Sequence, residues 1–278
     1  MVFKVDPSGN ETVLHSFTGG DDGKSPYAGV IRDSAGNLYG TTGSGGAGCP
    51  SPGCGVVYKL DTARNLTVLY AFTGGADGGF PTGSLTGDSA GNLYGTTNGG
   101  GNTCNCGVVF KLDRSGNETV LYTFTGTDGD GPQAGVIRDS AGNLYGTTDF
   151  GGTDGYGVVY KVDASGRETV LYDFTDGADG ANPYAGVIRD SAGNLYGTTL
   201  YGGNVAACPA TFFTPAGCGV VFKLDTAGNE TALYSFTGGA DGSVPVAGVI
   251  RDPAGNLFGT TEQGGTKGAG VVFAFKPQ

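Results

Sequence analysis

The heptapeptide Gly-Asn-Leu-Tyr-Gly-Thr-Thr occurs at 36–42, 91–97, 142–148 and 193–199, and returns with Phe for Tyr at 255–261. A chain that repeats itself every fifty residues or so builds copies of one supersecondary unit and buries its core between neighbouring copies. Other strings travel with this one. AGVIRD precedes it at 28–33, 134–139, 185–190 and 247–252, with GSLTGD at 83–88. GVVYKLD or a close variant follows it at 55–61, 107–113, 157–163 and 219–225, and a TVLYxF-type block then ends at Phe72, Phe124, Phe174 and Phe236. Each unit thus holds four short apolar blocks, A to D in that order.

The blocks are rich in Val, Tyr, Phe, Leu and Thr, which suits strands. A and C are apolar at successive positions, such as Val30-Ile31 and Val56-Val57. Successive strand side chains point to opposite faces, so these blocks need cover on both sides, which stacked sheets supply. Asp-Ser-Ala-Gly-Asn joins A to B, and an Asp-x-x-Gly-Asn type of turn joins C to D. Both turns are tight hairpins, so each unit reads as a four-stranded antiparallel meander, the size of a propeller blade. Glycine supplies 57 of the 278 residues, which excludes a helical protein.

The expected fold is all-β: a five-bladed β-propeller of four-stranded antiparallel blades, one domain over residues 1–278. Complete units span 28–72, 83–124, 134–174 and 185–236, and the fifth has A, B and C at 247–275 but no D. Residues 12–17 supply a D block at the other end, so the N-terminal strand is expected to close the ring on the C-terminal blade. Residues 2–5 form a surplus C block, placed either outside the ring or inside a longer array.

At these residues the chain resembles the GloVer repeat of choice-of-anchor bacterial proteins, through the motif LYGTT–GG–GVVFKLD–G–ETVLYSF. The resemblance covers nearly the whole chain. It implies a secreted or surface-anchored bacterial protein and assigns no activity and no catalytic residues. The segment MVFKVDPSGNE lacks the basic and apolar regions of a signal peptide, so a leader is expected to have been removed.

Fifteen Lys and Arg stand against 26 Asp and Glu, a net charge of −11. Such a chain repels phosphate backbones and anionic lipid, which argues against nucleic acid as a partner. No apolar run reaches the ~18 residues of a membrane span, so membrane insertion is not expected. The six cysteines all lie between blocks B and C: Cys49 and Cys54, Cys104 and Cys106, Cys208 and Cys218. They read as three local disulfides, the mark of an oxidising compartment, with the second pair the least certain because one residue separates it.

In a meander, the B–C loops and D–A connections share one end of the unit. That end carries the length variation, and variable loops on a rigid scaffold are where binding concentrates. The D–A segments carry Asp22, Asp77, Asp128, Asp179 and Asp241, each beside Gly. These read either as turn formers or as a ring for calcium or sugar hydroxyls, and no other cofactor is expected. After each D–A proline comes a varied position, Tyr27, Thr82, Gln133, Tyr184 and Val246, where tyrosines either stack on sugar rings or pack. The longest B–C loop adds Tyr201, Phe212 and Phe213.

No Ser–His–Asp or Cys–His constellation is present, and the one histidine, His15, aligns with Tyr70, Tyr122, Tyr172 and Tyr234. Asp149 and Glu262 begin aligned B–C loops where the other units have Gly43, Asn98 and Leu200. They are weak candidates for a catalytic carboxylate pair, because an intervening blade separates them. The expected function is a noncatalytic extracellular scaffold or binding module, monomeric, for a glycan or another surface protein. The alternatives are a secreted glycoside hydrolase using loop carboxylates and a structural surface repeat with no small ligand.

Overall fold

The computed structural model describes residues 1–210 and 215–277, so Phe212 and Phe213 lie outside the described residues. The chain divides into two compact units, Met1–Phe124 and Thr125–Gln278. Regular structure in both is β-strand.

The first unit opens with a two-stranded sheet, β1 (Val2–Val5) and β2 (Glu11–His15). Two four-stranded antiparallel meanders follow. One holds β3 (Ile31–Arg32), β4 (Leu38–Thr42), β5 (Val56–Leu60) and β6 (Leu66–Ala71). The next holds β7 (Thr86–Gly87), β8 (Leu93–Thr97), β9 (Val108–Leu112) and β10 (Glu118–Thr123).

The second unit repeats the plan with β11 (Ile137–Arg138), β12 (Leu144–Thr148), β13 (Val158–Val162) and β14 (Glu168–Asp173). Its next meander is β15 (Ile188–Arg189), β16 (Leu195–Thr199), β17 (Val220–Leu224) and β18 (Glu230–Ser235). A three-stranded sheet follows, β19 (Ile250–Arg251), β20 (Leu257–Thr261) and β21 (Val271–Phe275). Blocks A to D are thus the strands of each meander, although each A strand is only two residues long. A one-residue bulge recurs where D pairs with C, at Leu69 between Val68 and Tyr70 and at Leu171 between Val170 and Tyr172.

The C strands are covered on both faces, as their successive apolar positions demand. In β5, β9, β13 and β17 the two valines and the following aromatic are all buried. Rings join the sheets edge to face: Phe72 meets Phe110 at 5.1 Å, and Phe174 meets Phe222 at 5.2 Å. The glycine of LYGTT makes room for the C-strand ring. Gly95 pairs with Phe110, and a Cβ on Gly95 would lie 2.7 Å from that ring.

The turn chemistry is as the sequence implies. Asp33 accepts from the backbone N–H of Asn37 at 2.8 Å, from its side-chain amide at 2.7 Å and from the Tyr39 hydroxyl at 3.0 Å. The Asn37 amide leads these in holding Asp33 down to about 2. Asp139 and Asp190 repeat the arrangement with Tyr145 and Tyr196.

The closing strand requires a correction. β2 is bonded to β1, with Phe3 opposite Val13 and Lys4 opposite Thr12, while β21 is bonded to β20. Residues 2–5 are therefore a C strand in its own hairpin. Asp6 organises that hairpin by accepting from the backbone N–H groups of Ser8 and Asn10. A hairpin partner a few residues away outcompetes one at the far end of the chain, because the closing loop is short. Val2 and the Phe17 ring pack with Tyr58 against the first meander. A groove of about 340 Å³ runs along β21, lined by residues including Tyr234, Phe236, Val271 and Phe273.

Candidate functional site

The D–A aspartates sit in their own turns. Asp77 accepts from the backbone N–H and hydroxyl of Thr73 and from the Tyr70 hydroxyl at 3.1 Å. Asp179 does the same with Thr175 and Tyr172, and Asp241 with Thr237 and Tyr234. In the first turn His15 takes the tyrosine's place, with Nε2 3.2 Å from Asp22 Oδ2. Asp128 accepts from the backbone N–H of Thr125. Turn formation accounts for the repetition of these carboxylates.

All three disulfides are formed: Cys49–Cys54, Cys104–Cys106 and Cys208–Cys218. Each lies in the loop joining a B strand to a C strand and holds that loop at the varied end.

What differs between repeats is a strap two residues earlier than the position the sequence pattern drew attention to. The residue before each D–A proline is Ser25, Phe80, Gly131, Asn182 or Val244, and each has φ between 56° and 65°. A left-handed backbone is unusual for Phe and unfavourable for a β-branched Val, and here hydrogen bonds hold it. Asn182 donates its N–H to the Tyr156 carbonyl at 2.8 Å and accepts from the N–H of Leu200 at 3.0 Å. Val244 repeats this with the Cys218 carbonyl and the N–H of Glu262. The backbone of the strap is thus held in one conformation while its residue type varies from repeat to repeat.

In the second unit the strap and the B–C loops bring together the chemically distinct residues. Asn182 is buried and donates its side-chain N–H to the Asp149 carbonyl at 2.8 Å. Its own side-chain oxygen has no donor. Asp149 is also buried, and its Oδ1 likewise has no donor. Burial pushes the Asp149 carboxyl up to about 6; the Asn182 amide opposes the rise and neighbouring Asp130 adds to it. Tyr201 pairs through its backbone with Ala181, next to Asn182. Burial raises the Tyr201 hydroxyl, and the charges of both Asp149 and Glu262 raise it further. Glu262 itself is exposed.

The other sequence candidates are dispersed. Tyr27 is exposed and its ring lies over Gly43 in the first unit. Tyr184 and Gln133 are half-buried. Sequence reasoning missed Asn182 because it followed the residue after each proline; the variation Ser, Phe, Gly, Asn, Val just before the proline was the available signal.

The profile of the Gloeobacter/Verrucomicrobia repeat matches residues 1–140. The chain belongs to that repeat family. No curated protein matches it. Among solved structures it is similar to a gluconolactonase of Xanthomonas campestris, with 14% identity, a TM-score of 0.54, and 92% of this chain and 78% of that one covered. It is also similar to a proposed 6-phosphogluconolactonase of Bacteroides uniformis, with 15% identity, a TM-score of 0.51, and 85% of this chain and 64% of that one covered. At such identities the likeness is one of fold, and the family member is a propeller-like repeat protein.

Proposed function

We propose that this member of the Gloeobacter/Verrucomicrobia repeat family is a noncatalytic extracellular module whose repeats act as propeller blades. Its loop end binds a polyhydroxyl ligand of the carbohydrate class around Asp149, Asn182 and Tyr201. The observation that carries this is the pair of buried oxygens, Asp149 Oδ1 and Asn182 Oδ1, each without a donor. Leaving a buried acceptor unsatisfied costs about 1–3 kcal/mol, and a ligand hydroxyl that donates to it recovers that cost. Three disulfides support an oxidising compartment.

A second reading takes the two carboxylates that begin aligned B–C loops of the second unit, Asp149 and Glu262, as a pair. Asp149 is buried with its carboxyl pushed up to about 6, which suits a general acid, and the exposed Glu262 is then the candidate base or nucleophile for glycoside cleavage.

One experiment tests both readings: a glycan array with and without calcium, run beside an assay for released reducing sugar. Binding without release supports the module, and Asn182→Ala should then weaken it by roughly tenfold, the loss of one hydrogen bond in a buried site. Release of sugar that is abolished by both Asp149→Asn and Glu262→Gln makes the protein a hydrolase. Neither retention nor release leaves a structural surface repeat.

A further inference from the structure

The charges of the second unit are sorted by end. Its B–C loops and D–A connections carry eight Asp and Glu against one Lys or Arg, the exposed Lys267. Its arginines stand at the opposite end of the meanders. Arg138, Arg189 and Arg251 precede the A–B turns, and the last two lie over the Tyr145 and Tyr196 rings at 5.6 Å. The loop end of this unit therefore carries a negative field, which draws cations and repels anions.

Within that field Asp149 is 5% and Asn182 4% exposed, and the Oδ1 atom of each lacks a donor. The Asn182 amide is committed to the Asp149 carbonyl at 2.8 Å, which leaves its side-chain oxygen as an acceptor. The segment holding Asp130 runs alongside. Asp149 donates its N–H to the Gly131 carbonyl at 3.2 Å, and Asp130 exchanges backbone bonds with Phe150. Asp130 is half-buried, and its like charge adds to the effect of burial on the Asp149 carboxyl.

This arrangement asks two things of a ligand. The two acceptors call for two donors, and the crowded carboxylates call for positive charge. A sugar hydroxyl brings one donor and no charge. An ammonium group brings three N–H donors and a full charge, and its hydrogen bond to a carboxylate is about twice as strong as a neutral one. Calcium would need about six to eight oxygen ligands. Among the described residues, no group of three or more His, Cys, Asp and Glu is placed to hold a metal ion.

We infer that the ligand of this site is an amino sugar with a free amine, whose ammonium group donates to Asp149 Oδ1 and Asn182 Oδ1. The inference rests on the carbohydrate reading of the loop end and narrows it. Neutral sugars satisfy the acceptors and leave the charge unmet, whereas uronic acids add to the repulsion.

The test is titration calorimetry of the full chain at neutral pH and low salt with three trisaccharides: a glucosamine trimer with free amines, its N-acetylated twin and a galacturonic acid trimer. The free-amine trimer should bind at least about tenfold more tightly than the acetylated one, as a charge-assisted bond replaces a neutral one. The galacturonic acid trimer should not bind. Asp149→Asn should bring the first two trimers to equal affinity, and Asp130→Asn should narrow the gap between them, with unchanged thermal melting as the check on folding. A free-amine preference that both variants leave intact overturns the assignment to this site. Acetylated trimer that binds as tightly as the free amine overturns the inference and leaves the carbohydrate reading standing, whereas failure of every trimer to bind overturns both. Spermidine, a polyamine without a sugar ring, overturns the inference if it binds as tightly as the free-amine trimer. Calcium that binds where no amine does overturns it as well.

Discussion

Three glutamates show how burial and like charge act on single residues. Glu118, Glu168 and Glu230 open equivalent D strands, and each keeps one carboxylate oxygen buried without a donor. Burial, then the charge of Asp77, Asp128 or Asp179 respectively, pushes each up to about 7. A carboxyl whose folded pKa lies above its unfolded value binds its proton more tightly in the native state. Stability therefore falls as pH rises from the ordinary glutamate range, about 4.5, to about 7. The turn aspartates run the other way: Asp33 is held down to about 2, so its contribution is lost only in stronger acid. The prediction is greater resistance to urea at pH 5 than at pH 8. The triple variant Glu118→Gln, Glu168→Gln, Glu230→Gln should flatten that slope. An unchanged slope in the triple variant would place the effect elsewhere.

At the scale of the element, the meander is determined by its turns and the long B–C loop by its covalent staple. The loop between β16 and β17 is the longest of its kind, and Cys208–Cys218 closes ten residues of sequence separation within it. Gly217 donates its N–H to the Cys208 carbonyl at 2.7 Å, and Gly202 donates to the Ala216 carbonyl at 2.9 Å, so the staple also sets local backbone bonds. Closing a loop of that length removes about 2–3 kcal/mol of unfolded-chain entropy. Changing Cys208 and Cys218 together to Ser should lower stability by that order in a denaturant titration. Amide exchange should accelerate at 202–210 and 215–217 and stay unchanged in the β-strands. The same measurement separates a local staple from a global one.

At the scale of the molecule, each unit is held by sheets that cover one another, so an end strand matters through the sheet it shields. The β1–β2 hairpin covers Val56, Tyr58 and Leu60 of the first meander, all nearly inaccessible to solvent. Deleting residues 1–20 uncovers that layer. At roughly 25 cal/mol per Å² of apolar surface, the loss is on the order of several kcal/mol. The truncated protein should melt at a lower temperature and bind a hydrophobic dye, with its far-ultraviolet circular dichroism still that of β-structure. A truncated protein that melts like the full chain would show that the hairpin covers nothing that matters.

The sequence alone determined what is local and repeated. Strand positions, antiparallel order, hairpin aspartates and the cysteine pairing follow from short blocks of β-prone residues, turn chemistry and cysteine spacing, all of which act within a few residues. The tertiary structure decided what depends on competition or on distance. The repeat count assigns the D-type strand at 12–17 to the C-type segment at 271–275 and leaves residues 2–5 as surplus, whereas the short Asp6 turn pairs it with β1. Asp149 and Asn182 stand 33 residues apart, and only the strap's left-handed backbone and its bonds to Tyr156 and Leu200 bring them together. The identical string Leu-Tyr-Gly-Thr-Thr is buried throughout in β8 but only in part in β4, because burial is set by what packs around a strand, which is a property of the fold and not of the string.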